Sequence, residues 1–415
     1  MLALAALLGA GVDAAASLGR DDSGAAADCE STELMEAMSG FPSYSWPSAD
    51  SSKASVWDTV RSISDACAGE GGTLWRVTLA AAQATRKPSA PFTVCVRQGC
   101  DPQATAERVA LRDSSVALPV QLIAEELADW RELRLDLVVA GLGKAGTTWL
   151  VRQLGRHKQI YHRGFLADPR GEEFPLDAQH GAHWPSRRCV ERWNQQHQSN
   201  RSFVLAKNPG YAADAWAVQV LAHIGARLIV AVRSPVELCH SLFLDTFQAV
   251  EPEGRWDRPS LSDCVLQDEC DALMRTPASP ARFEKLTFRT GKCRDSFSIE
   301  SIFKLLFRHL RREQVYVVHT SQLQGAVANI SRWLGVQLPA FELDPPLNTA
   351  RHNLAADPSF RAESDLCAAA NAGALAYLRG LFPSDERAID LWLTWPRPYH
   401  AGGDRCWQRV AQGKK

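Results

Sequence analysis

Residues 135–150 constrain this chain more than any other stretch. An apolar run, Leu135-Asp136-Leu137-Val138-Val139-Ala140, leads into Gly141-Leu142-Gly143-Lys144-Ala145-Gly146 and then Thr147-Thr148-Trp149-Leu150. A short apolar run bounded by glycine reads as a buried strand, and the residues after the turn open a helix. Strand, glycine turn and helix in that order belong to an α/β fold built on a parallel sheet with covering helices. The same turn is suited to an anion. Glycines let backbone N–H groups converge, and a helix N-terminus adds partial positive charge. Lys144 supplies a full charge and the two threonines supply hydroxyls, which is the chemistry of a phosphate-binding loop. A strand-to-helix junction with no ligand would show the same glycines.

The spacing departs from the nucleotide triphosphatase loop G-x-x-x-x-G-K-[ST]. Gly141 and Gly146 keep that separation, but Thr147 stands where lysine is required and Lys144 lies inside the loop. A second segment repeats the strand-to-helix pattern. The run 227–232 is apolar, and Arg233-Ser234-Pro235-Val236-Glu237 follows it. Pro235 suits a first helical turn, where its missing N–H costs nothing. Arg233 ends the strand and Ser241 follows about two helical turns later, so both reach the crevice where open α/β sheets bind ligands. A guanidinium fork bonds a phosphate at two points, and a serine hydroxyl adds a neutral donor. The plainer alternative is a strand-end surface arginine and an ordinary helix serine.

These residues carry a resemblance. Lys144-Ala145-Gly146-Thr147-Thr148-Trp149-Leu150 resembles the 5′-phosphosulfate loop of sulfotransferases, and Arg233-x-Pro235-x-Glu237-x-x-x-Ser241 resembles their 3′-phosphate site. Lys207-Asn208-Pro209-Gly210-Tyr211 resembles the K-[ST]-P-x-Y segment of the carbohydrate (heparan-sulfate-type) branch, with Asn208 replacing the hydroxyl residue. Residues 314–319 and the helix ending at Gly335 are similar to a late strand and helix of that family. Thr320-Ser321-Gln322 stands where the family has an acidic residue. The resemblance spans roughly residues 131–400.

It implies a P-loop-like fold, a parallel central sheet flanked by helices, and 3′-phosphoadenosine 5′-phosphosulfate (PAPS) as co-substrate with no metal. It implies transfer of the sulfuryl group to an acceptor hydroxyl or amine on a glycan. Lys144, Ala145, Gly146, Thr147, Thr148 and Trp149 would hold the 5′ side of the donor, and Arg233, Ser241 and Arg351 the 3′-phosphate. Lys144 and Lys207 would meet charge on the leaving and transferring groups. Glu172 is the first choice for the base and Glu173 the second, with His162, His180 and His183 behind them; His240 is expected to pack beside the 3′-phosphate helix. Two other readings use the same loop: a degenerate sulfotransferase-like protein that binds nucleotide or glycan without turnover, and a P-loop nucleotide kinase.

The 415 residues allow an α/β domain over residues 131–400 and an accessory region over 56–130, joined to the N-terminus by a Ser/Ala/Asp/Gly-rich linker over 17–55. The accessory region includes an apolar stretch at 74–82 and a helical run at 120–133. A net charge of −1 offers no bulk attraction to nucleic acid. Residues 1–16 read as a signal-peptide-like leader, as the remnant of a longer anchor, or as a disordered alanine-rich segment. No membrane span is expected beyond them. Eleven cysteines and the triplets at Asn200 and Asn329 point to disulfides, glycosylation and a secretory or Golgi lumen. Cys95/Cys100 and Cys264/Cys270 are close enough to close small loops. Candidate central strands are 135–140, 203–206, 227–232 and 315–319. Residues 164–200 read as loop-rich, and 250–298 as an insertion near the acceptor or a surface excursion.

Overall fold

A computed structural model describes residues 55–80, 92–112, 121–163, 173, 175–176, 179, 181–248, 260–266, 298–336 and 365–394. The leader, nearly all of the linker, His180, Glu172, Arg351, Cys270 and most of 250–298 lie outside the described residues. Contacts gather the chain into two compact units, one of residues 1–129 with 181–190, the other of 130–180 with 191–415.

The first unit contains α1 (Ser55–Gly69), β1 (Gly72–Ala80), β2 (Phe92–Arg97), α2 (Pro102–Arg112) and β3 (Gln121–Glu126). The strands form an antiparallel sheet in the order β2-β1-β3. A Cys67–Cys95 disulfide ties α1 to β2 beside Gly72, where a Cβ would stand 2.6 Å from the Cys95 sulfur. The expected Cys95/Cys100 loop therefore does not form: β2 runs extended past Cys95 and turns that side chain toward α1. Cys100 is also disulfide-bonded. Val60, Ile63, Leu74 and Trp184 pack around the disulfide, and the Trp184 indole donates to Ser64 at 2.8 Å.

The helical run expected at 120–133 is instead β3 followed by a single 3-10 turn at Trp130–Glu132. Helix-forming Leu, Ala and Glu are overridden by pairing, because β3 sets Glu125 opposite the buried Arg76, whose guanidinium it receives.

The second unit is an α/β layer structure. Its parallel sheet comprises β4 (Leu137–Gly141), β5 (Ile160–Tyr161), β6 (Phe203–Lys207), β7 (Arg227–Val232) and β8 (Val315–His319), in the order β5-β6-β4-β7-β8. The four expected strands are present. The two-residue edge strand β5 is too short to announce itself by periodicity. Helices α3 (Thr147–Gly155), α4 (Arg187–Gln196), α5 (Ala215–Ile224), α6 (Pro235–Gln248), α7 (Leu261–Leu266), α8 (Ile299–His309), α9 (Leu323–Leu334), α10 (Ala372–Leu381) and α11 (Pro383–Trp392) complete the element order. Helix α4 falls in a stretch expected to be loop-rich: its Arg, Gln and Asn content hides an apolar face limited to Val190 and Trp193.

β4 and β8 are buried along their whole length and β7 past its first residue, as parallel strands covered on both faces must be. Asp136 interrupts the apolar run before β4 because its carboxylate accepts the Val204 N–H at 2.8 Å and so helps set the β4–β6 register. The chain leaves β4 with β6 on one side and β7 on the other. This is a topological switch point, the place where open α/β sheets form a crevice at the strand C-termini.

Candidate functional site

Four strand ends build the site. At the end of β4, Gly141 has φ +126°, and a Cβ there would meet the Ala231 carbonyl oxygen at 2.1 Å and the Ala231 nitrogen at 2.7 Å. Only glycine lets the chain turn this close to β7. The Leu142 N–H then bonds the Ala231 carbonyl at 3.1 Å, and the Ala145 N–H closes the turn onto the Leu142 carbonyl at 3.2 Å. Lys144, half-buried at the loop's tip, adopts φ +64°, a left-handed conformation that costs an L-residue about 1–2 kcal/mol. Gly146, at φ +89°, is the N-cap of α3 and offers no side-chain cap. The first-turn N–H groups of α3 have no partner within the helix, and the helix dipole makes that end partly positive. Ala145, Thr147 and Trp149 are buried.

At the end of β6, Lys207 is 1% exposed, and its ammonium donates to the Thr148 hydroxyl at 2.9 Å. Asn208 turns the chain: its N–H bonds the Val139 carbonyl and its side-chain oxygen accepts the Gly210 N–H at 2.9 Å. Asparagine here does the capping work a serine or threonine would do. Glu173 lies alongside, with its N–H on the Lys207 carbonyl at 2.9 Å. The Tyr211 hydroxyl accepts the Leu176 N–H at 3.0 Å and holds the same segment.

The Glu173 carboxylate meets two histidines. Oε1 is 3.0 Å from His197 Nε2, and Oε2 is 3.7 Å from His162 Nε2. His197 stacks on Trp193 at 3.6 Å, and its Nδ1 lies 2.9 Å from the Trp193 carbonyl. A carbonyl only accepts, so Nδ1 carries a proton, and the Nε2–Oε1 contact needs a further one on either partner.

At the end of β7, Arg233 binds Glu237 through Nε at 3.1 Å and donates from Nη1 to the Lys144 carbonyl at 3.2 Å. Ser241, half-buried, follows on α6, and His240 beside it is buried. From the end of β8, the Thr320 hydroxyl reaches the Ala145 carbonyl at 3.0 Å and the Val232 carbonyl at 2.9 Å.

The fold thus gathers Lys144, Thr148, Lys207, Glu173 and Arg233 on the C-terminal edges of β4, β6 and β7. His183 is buried in the other compact unit. Sequence reasoning missed Glu237, His197 and Thr320 as members. Glu237 was visible as the glutamate of the Arg-x-Pro-x-Glu motif, and Thr320 as the departure from the acidic residue after β8. His197 carried no signal, because its partner is distant in sequence. Among the described residues, no group of three or more His, Cys, Asp or Glu is placed to hold a metal ion. No helix among them is long and apolar enough to cross a membrane.

The sequence matches no family model and no curated protein. Among solved structures the chain is similar to a sulfotransferase from Alicyclobacillus acidocaldarius, at 19% identity and TM-score 0.34, over 60% of this chain and 95% of that one. It is also similar to the sulfotransferase domain from the curacin biosynthetic pathway, at 15% identity and TM-score 0.31, over 68% of this chain and 97% of that one.

Proposed function

We propose that this chain is a sulfotransferase that takes its sulfuryl group from PAPS and delivers it to a hydroxyl or amine of a carbohydrate acceptor. One observation carries the reading: two anion-suited segments end on adjacent strands and are bonded to each other, Arg233 to the Lys144 carbonyl at 3.2 Å. A donor with phosphates on both the 3′ and the 5′ oxygens of its ribose needs two such segments close together.

The residues fit that donor. The loop that only glycine can enter at Gly141 and the uncapped N-terminus of α3 suit the 5′ side, and Arg233 with Ser241 the 3′-phosphate. The donor supplies an activated sulfuryl group, and the protein's part is positioning and charge stabilisation. Lys144 meets charge developing on the leaving phosphate. Lys207, buried and hydrogen-bonded to Thr148, brings a second positive charge to the same loop. A general base must take the acceptor's proton. Glu172 is the first candidate on sequence grounds, and Glu173, joined to the Lys207 strand by backbone, is the neighbour with supporting contacts. Arg351 is retained as a third 3′-phosphate ligand on the sequence resemblance alone. The Cys67–Cys95 disulfide supports an oxidising lumen such as the Golgi.

The test is calorimetric titration with 3′-phosphoadenosine 5′-phosphate on wild type, Lys144→Ala and Arg233→Ala. Micromolar binding that both substitutions abolish is the expected result. An acceptor screen then follows, with Glu172→Gln and Glu173→Gln as controls for the base. Absence of binding by folded wild type sinks the reading. Binding without turnover on any acceptor favours the non-catalytic alternative.

A further inference from the structure

We propose that Thr320 is a positioning residue that aims the loop's N–H groups at the donor's 5′-phosphate, an inference that rests on the donor-site reading above. Its hydroxyl lies between two carbonyls, Ala145 at 3.0 Å and Val232 at 2.9 Å. One belongs to the loop after β4. The other is the last residue of β7, directly before Arg233.

A trans peptide is planar, so its carbonyl and the following N–H point in opposite directions. Holding the Ala145 carbonyl toward Thr320 therefore turns the Gly146 N–H to the other side, into the concave face of the loop. Gly146 has no side chain that would fix its own orientation, and it starts the run of N–H groups that continues into the first turn of α3. Arg233 treats the preceding peptide alike, holding the Lys144 carbonyl at 3.2 Å while the Ala145 N–H bonds Leu142. Two successive peptide planes are thus set from outside the loop, one from β7 and one from β8. Leu323, at the start of α9, backs the same position: a Cβ on Gly146 would lie 2.4 Å from its Cδ1.

The residue type matters. An ionised aspartate or glutamate only accepts hydrogen bonds and would repel both carbonyls, whereas a hydroxyl donates. Threonine at the end of β8 is therefore a constructive part of this loop and not merely a lost acidic residue.

The experiment titrates the full chain with adenosine 3′,5′-bisphosphate and, separately, with adenosine 3′-monophosphate. Thr320→Val keeps the shape and removes the donor, so bisphosphate affinity is expected to fall by about threefold to tenfold, the worth of one hydrogen bond. Affinity for the 3′-monophosphate, which lacks the 5′ group, stays within about twofold on the same scale, and Thr320→Ser restores bisphosphate binding. Thr320→Ala carries the test where Thr320→Val does not fold. Unchanged bisphosphate affinity, or equal weakening of both ligands, overturns the proposal and leaves the donor-site reading standing. Failure of wild type to bind either nucleotide overturns both.

Discussion

The glycines of the loop after β4 make a matched test of how closely that loop approaches β7. In Gly141→Ala the new Cβ meets the Ala231 carbonyl oxygen at 2.1 Å, its nitrogen at 2.7 Å and its carbonyl carbon at 2.9 Å. All three belong to the backbone of a buried strand, so nothing flexible can yield. The residue also keeps φ +126°, a conformation L-residues rarely adopt. Strain of this kind costs about 1–3 kcal/mol, and overpacking a tight site costs about 1–3 kcal/mol more. The sum, about 4 kcal/mol, is a large part of a typical domain's stability and corresponds to a melting point lower by roughly 10 °C. Gly143, two residues on, is exposed and has no positive φ, and a Cβ there would find nothing within 4 Å. Gly143→Ala should therefore be neutral, or stabilise by up to about 1 kcal/mol through the unfolded chain. Thermal and urea unfolding of the two variants beside wild type make the comparison. Equal stabilities would refute the close approach of Gly141 to Ala231, and with it the loop geometry on which the site depends.

Two other expectations rest on buried polar groups. Burial pushes the Tyr316 phenol up to about 12, against a smaller lowering by Arg332. The neutral phenol is favoured in the folded state, so its contribution is intact below pH 10 and lost as pH rises from about 10 to about 12; two units correspond to about 2–3 kcal/mol. Urea titrations at pH 9 and pH 11 should show a smaller alkaline loss in Tyr316→Phe than in wild type, and identical losses would contradict the assignment. For the Glu173–His197 pair, His197→Ala removes the stacking on Trp193 and one carboxylate contact, for an expected cost of about 2–4 kcal/mol. A double-mutant cycle with Glu173→Gln should return a coupling of about 1 kcal/mol or more, and strict additivity would mean the two do not interact in solution.

The division between what could be read in the chain and what could not follows the range of the interactions. Strands β4, β6, β7 and β8 were legible because buried parallel strands need continuous apolar runs, and the helix starts after β4 and β7 were marked by Gly146 and Pro235. The sequence also placed Lys144 and Arg233 at the strand-to-helix junctions where the structure has them. The strand at 121–126 was not legible, since its Leu, Ala and Glu prefer helix and pairing with β1, which includes Arg76 49 residues from Glu125, decides otherwise. Sequence proximity pairs Cys95 with Cys100, whereas strand β2 holds it facing Cys67.

The same holds inside the site. Sequence alone determined that a glycine-bearing strand-to-helix turn and an arginine-ended strand exist, because glycine and proline act on their own few residues. Only the tertiary structure decided that the sheet order sets β4 between β6 and β7, which brings Lys207 onto Thr148, Arg233 onto the Lys144 carbonyl and Thr320 onto Ala145. Those contacts join residues 59, 89 and 175 positions apart. Local propensity carries no information about such pairs; strand pairing and burial create them.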